Sequence, residues 1–179
     1  MRVYAPCIGG LPGVVLDGSM HALAKRLNEA SPEIEAEVFP WFLWKKARKR
    51  CIEAHKEGAL IAGAGHSYGC LEWSKISIDL MKHNILIEYI GGIDATATPP
   101  RYGPMVIDGN VAFVDEFWAS FGWPSMARMR SPSGQKGGKF VYPYGTHHKI
   151  HRFTAGHIAV AARKAVQKRI VEQIRELLL

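Results

Sequence analysis

Residues 65–69 read Gly-His-Ser-Tyr-Gly, a serine with a glycine two positions away on either side. The run ALIAGAG before it is short, small and apolar, as suits a buried strand. The run YGCLEWSKISIDLMKH after it carries Leu71, Ile76, Ile78, Leu80 and Met81 at helical spacing. A serine on so tight a strand-to-helix turn stands on strained backbone. Side chains at the flanking positions would collide with the strand and the helix, and glycine removes that collision. The turn also presents the hydroxyl at a helix N-terminus, where unpaired N–H groups and the positive end of the dipole favour negative charge. The implied chemistry is nucleophilic attack by Ser67. A plain N-cap serine would account for Ser67 but not for both glycines.

A serine hydroxyl is a weak nucleophile at neutral pH and needs a base, for which histidine is suited. The base in turn needs a carboxylate to orient it and to stabilise its cation. Among the acids, Asp94 directly follows the apolar run ILIEYIGGI, 27 positions after Ser67, so the strand beside the serine's own would deliver it to the same sheet edge. Asp108 and Asp115 are the alternatives, and Asp108 in VIDGN reads more as a turn residue.

The elements that must hold these groups alternate. Strand-like runs at 2–8, 34–39 and 59–63 are followed by helix-like runs at 19–30, 41–56 and 68–83, and a fourth strand is expected at 85–90. The simplest arrangement is a three-layer α/β/α sandwich around a mainly parallel sheet of about six strands, with right-handed crossovers. Further on, a strand is expected at 111–117, a last strand in KFVYPYG (139–145), and an amphipathic helix from about Thr154 to Leu179. Turn-forming residues crowd ATATPPRYGP and RSPSGQKGGK, and the loop SGQKGGK opens no helix as a phosphate loop would. No repeat or linker divides the chain, which is expected to form one domain over residues 1–179.

The elbow motif in this setting resembles the α/β-hydrolase superfamily of serine esterases, lipases and thioesterases, as a small member with little lid. The resemblance extends over most of the chain and implies the order Ser, Asp, His. It implies a base in the loop after the last strand, where YGTHHKIHRFTAGH lies. The run His147-x-x-Ile150 resembles the H-x-x-I of small lipase-like members and favours His147, with His148 the close rival; His157 is placed in the helix. His66 is read as a packing histidine, and His21, His55 and His83 as solvent-facing. The resemblance also implies an oxyanion hole from the backbone N–H groups of Tyr68 and, in the loop IGGLPG after the first strand, Leu11; Pro12 has no N–H, and Gly9 stands where lipases have histidine.

The function expected is a serine hydrolase cleaving a carboxylic ester or thioester through an acyl-enzyme on Ser67, with a small-molecule or lipid-like ester as substrate and no cofactor or metal. An acyltransferase with the same triad is one alternative. A non-catalytic module binding an anionic partner is the other. Trp118, Phe121, Trp123, Met126 and Met129 are read as core in preference to an acyl-binding wall.

Composition bounds these readings. The 179 residues are 47% hydrophobic and carry a formal charge of +7. The basic runs KKARKR (45–50) and RKAVQKR (163–169) fall on helices and read as solvated faces, so no specific nucleic-acid partner is expected. Cys7, Cys51 and Cys70 lack zinc-site spacing and are expected to be reduced and mostly buried. No apolar run approaches the length of a membrane-spanning helix, and MRVYAPCIGGLPG reads as strand and loop over a signal peptide, which makes a cytoplasmic location the expectation.

Overall fold

The structure is a computed structural model and describes residues 1–10, 18–95, 105–107, 109–121, 140–141 and 146–179. Strand β1 (Arg2–Gly9) leads to helix α1 (Gly18–Ala30). Strand β2 (Ile34–Pro40) passes through one 3-10 turn (Trp41–Leu43) into α2 (Trp44–Lys56), and β3 (Ala59–His66) turns directly into α3 (Tyr68–Met81). There follow β4 (Ile87–Ile93), β5 (Met105–Val106), β6 (Val111–Phe121), β7 (Phe140–Val141), β8 (His147–Gly156), α4 (His157–Ala162) and α5 (Lys164–Glu176).

Six strands form one sheet in the order β2-β1-β3-β4-β6-β8, and every neighbouring pair is parallel. The two remaining short strands, β5 and β7, pair with each other. The strands send side chains to two different cores, with regular period-two alternation along β1. Tyr4, Ile8, Ile61, Ile87, Ile90 and Val114 pack beneath α2 and α3. Val3, Ala5, Cys7, Ala62, Tyr89 and Phe117 pack beneath α1, α4 and α5. This is the expected three-layer α/β/α sandwich, and its sheet is wholly parallel.

Each layer is fixed by particular contacts. The Trp73 ring of α3 lies fully buried, and its Nε1–H donates to the Ala64 carbonyl of β3 at 2.9 Å. On the other face α5 buries Val166, Ile170 and Ile174. Helix α5 is also tied to the sheet by the fully buried Asp115 carboxylate, which accepts from Arg169 Nε at 3.1 Å, His151 Nε2 at 2.7 Å and Tyr89 OH at 3.2 Å.

The chain departs from expectation at its C-terminal third. The last strand of the sheet is β8, whereas Phe140–Val141 lies in the separate two-stranded pair. Residues 154–156 are strand, and the expected continuous helix is broken at Arg163, whose backbone is extended (φ −65°, ψ 128°). Strand β8 is a sheet edge paired only with β6, and half of its side chains face solvent, so it needs no continuous apolar run.

Candidate active site

In a parallel sheet all strands end at one edge, and the ends of β3, β4 and β8 at that edge are followed by Ser67, Asp94 and His157. Ser67 stands between β3 and α3 with φ 56° and ψ −118°, a left-handed backbone that a residue with a Cβ rarely adopts. What holds it there is packing. A Cβ on Gly69 would lie 2.0 Å from the Ile8 carbonyl oxygen, and one on Gly65 would lie 2.7 Å from the Gly69 carbonyl carbon. Strand β1, strand β3 and the start of α3 therefore meet at backbone contact, which only glycine allows. The Ser67 N–H donates to the Ile93 carbonyl of β4 at 2.9 Å, while its side chain makes no capping bond to α3. The N-cap role for the hydroxyl is thereby removed.

Asp94 follows β4 at once and shares the left-handed backbone, with φ 39°. Its N–H donates to the Phe117 carbonyl at 2.7 Å, and its Oδ1 accepts from the Ala119 N–H at 3.2 Å, so two bonds from β6 aim the carboxylate. The other oxygen, Oδ2, lies 2.6 Å from Nδ1 of His157, the first residue of α4, and both residues are buried. A carboxylate can only accept here, so Nδ1 carries the proton and the neutral ring presents Nε2 as a lone-pair acceptor.

His66, inside the elbow, fixes the other side of that imidazole. Its Nε2–H donates to the His157 carbonyl at 3.1 Å, and the two rings lie 4.9 Å apart at 32°. Gly10, directly after β1, approaches the serine from a third direction. A Cβ on Gly10 would fall 2.9 Å from Ser67 Cβ and 3.4 Å from its Oγ, so the Gly10 backbone lies against the serine. Trp41, just after β2, sets its ring 5.8 Å from that of Tyr68.

The other candidates read from the sequence fall elsewhere. His147 opens β8 in register with Phe113, exposed, at the opposite edge of the sheet. It stands about 30 Å along the strand from His157 at the usual rise per residue. The ring on Asp94 is that of His157, not His147, and His148 follows His147 in the same exposed register. Asp115 is engaged with Arg169, His151 and Tyr89 on the α5 face. Leu11, Asp108, Trp123, Met126, Met129 and the loop SGQKGGK lie outside the described residues, as does the side chain of Phe121. Trp118 is buried, donates to Glu116 at 3.0 Å and is covered by the Arg152 guanidinium at 4.8 Å. The cysteines are free and buried, and burial pushes the Cys7 thiol up to about 12 and raises those of Cys51 and Cys70 as well, which leaves them protonated.

Comparison with known proteins places this architecture. No family model matches the sequence, and no curated protein sequence does. Solved structures do match over nearly the whole chain. Human thioesterase 2 is 10% identical, with 99% of each chain covered and a TM-score of 0.58. A hyperthermophilic esterase from the archaeon Pyrobaculum calidifontis is 16% identical, with 99% of this chain and 78% of that one covered and a TM-score of 0.59. A Xanthomonas campestris protein described as a hydrolase of the alpha/beta superfamily is 12% identical, with 99% and 98% covered and a TM-score of 0.54. At these identities the likeness is one of fold.

Proposed function

On the α/β-hydrolase fold that this chain has, we propose that it is a serine hydrolase cleaving carboxylic esters or thioesters, with Ser67 as nucleophile, His157 as base and Asp94 as the carboxylate that orients it. One observation carries the reading: the buried 2.6 Å bond between Asp94 Oδ2 and His157 Nδ1, formed at the strand edge where Ser67 is held at positive φ. Ordinary core packing has no use for a left-handed serine beside a carboxylate-bound imidazole, whereas acyl transfer needs each of them.

In the reaction, Ser67 Oγ attacks the acyl carbon while His157 Nε2 takes its proton, and the carbonyl oxygen gains the negative charge. That charge is assigned to the N–H of Tyr68, which heads α3, and, from sequence order alone, to the N–H of Leu11, next after Gly10. Collapse expels the alcohol or thiol, which receives the proton from His157, and leaves Ser67 acylated. Water then attacks the acyl carbon with its proton going to His157, and the acid is released with the serine restored. Throughout, Asp94 stays ionised and stabilises the imidazolium.

The test is turnover of p-nitrophenyl esters of graded acyl length and of an acyl thioester, comparing wild type with Ser67→Ala. Burst release of p-nitrophenol followed by steady hydrolysis, both lost in the variant, is the expected result. Turnover undiminished in Ser67→Ala would reject the assignment.

A further inference from the structure

The turn that follows β2 carries two adjacent exposed apolar side chains. Phe42 is 51% exposed and Leu43 39%, side by side at the tip of the 3-10 turn, between the half-buried rings of Trp41 and Trp44. Lys45, Lys46 and Lys49 continue the exposed stripe along the first turns of α2, since residues three and four apart share one helix face. Neither the 3-10 turn nor the first turn of α2 holds an acidic residue. Among the described residues Lys45 and Lys46 form no ion pair, and Lys49 reaches Glu53 at 3.6 Å across an exposed face. The stripe begins at the rim of the candidate site. Pro40 is level with Gly9 in the sheet, Gly10 lies on Ser67, and Trp41 packs on Tyr68.

We propose that this stripe seats the molecule on an anionic lipid surface, with Phe42 and Leu43 entering the headgroup boundary, the lysines meeting lipid phosphates, and the Ser67 edge of the sheet turned toward the bilayer. The apolar pair stands on a convex tip, a shape that suits insertion into a fluid interface. The Trp44 indole and the lysines beside the pair are side chains of the kind that settle at headgroup depth. The uncompensated cations complement negative phosphates. Nucleic acid is the poorer match, because stacking a strand needs successive open aromatic faces and in this stripe Phe42 alone offers one: the Trp44 ring has the ammonium groups of Lys45 and Lys75 over it at 5.9 and 5.5 Å, and the Trp41 ring packs on Tyr68. The proposal concerns binding and needs no turnover, so its failure would leave the serine hydrolase reading intact.

The experiment is flotation of the full chain with vesicles of phosphatidylcholine alone and of equal parts phosphatidylcholine and phosphatidylglycerol, at low and high salt. Binding to the anionic vesicles only, weakened by salt and accompanied by a blue shift of tryptophan emission in the wild type, is expected. The joint change Lys45→Gln with Lys46→Gln is expected to weaken it at least about tenfold, and Phe42→Ser with Leu43→Ser similarly. Lys164→Gln with Lys168→Gln, which removes the same charge from α5, leaves it unchanged. Equal binding to neutral vesicles, no effect of the Phe42 and Leu43 changes, or an equal loss from the α5 changes would overturn the proposal. So would capture by soluble polyglutamate or RNA in preference to the vesicles.

Discussion

Ser67 and Asp94 both hold a left-handed backbone, and each is tied by its N–H to a carbonyl of the adjacent strand. Asp94→Asn would offer Nδ1 an amide that donates as readily as it accepts, allowing the tautomer that points a proton at Ser67. The expected consequence is a fall in kcat of about 10⁴-fold at neutral pH with KM little changed, read from steady-state ester hydrolysis. His66 acts one step further out, because its Nε2–H holds the His157 carbonyl. His66→Leu is expected to lower kcat by about 10-fold to 100-fold, and His66→Gln, whose amide can make the same bond, to recover most of it. A purely space-filling role would reverse that ranking. That Ser67 and Asp94 stand at strand ends was legible in the sequence, because each follows an apolar run that reads as strand. The place of His157 was not, since HHKIHRFTAG sets six polar or charged side chains against only Ile150 and Phe153, and its edge position removes the need for more.

Among the elements, the β3–α3 junction sets the tolerances of the site. A methyl at Gly69 would press into the Ile8 carbonyl at 2.0 Å, and backbone on both sides leaves nothing flexible to yield. Gly69→Ala is expected to cost about 3 kcal/mol in denaturant unfolding and to lose activity even where it folds, because α3 must shift from β1. The alternation of strand and helix up to β4 followed directly from hydrophobic period, since those strands are buried on both faces. Beyond β6 the same rule failed for a physical reason: β8 is half exposed and reads as polar loop, while Phe140–Val141 is apolar enough to claim its place. Moving the last strand by one segment moved the histidine slot with it, from His157 to His147.

At the scale of the whole molecule, the parallel sheet gathers β3, β4 and β8 ends at one edge and buries charged groups just below it. Burial pushes the Glu116 carboxyl up to about 7, against the opposing bond from Trp118. The folded chain therefore retains a proton there that the unfolded chain releases from near the ordinary value of 4.5 upward. Stability from this group is full below that value and is lost as pH rises through about 7. Glu116→Gln keeps an acceptor for Trp118 and cannot ionise, so its Tm is expected to exceed that of wild type by several degrees at about pH 8 and to match it near pH 5. Parallel Tm curves at both pH values would show that Glu116 is ionised throughout.

The most direct measurement is the rate at which a fluorophosphonate probe acylates the chain, with the modified residue located by mass spectrometry, in wild type, Ser67→Ala, His157→Gln and His147→Gln. The expected result is a label on Ser67 alone, absent from Ser67→Ala, slowed at least about 10³-fold in His157→Gln and unchanged in His147→Gln. Labelling at wild-type rate in His157→Gln, or a label on any other residue, would contradict the account.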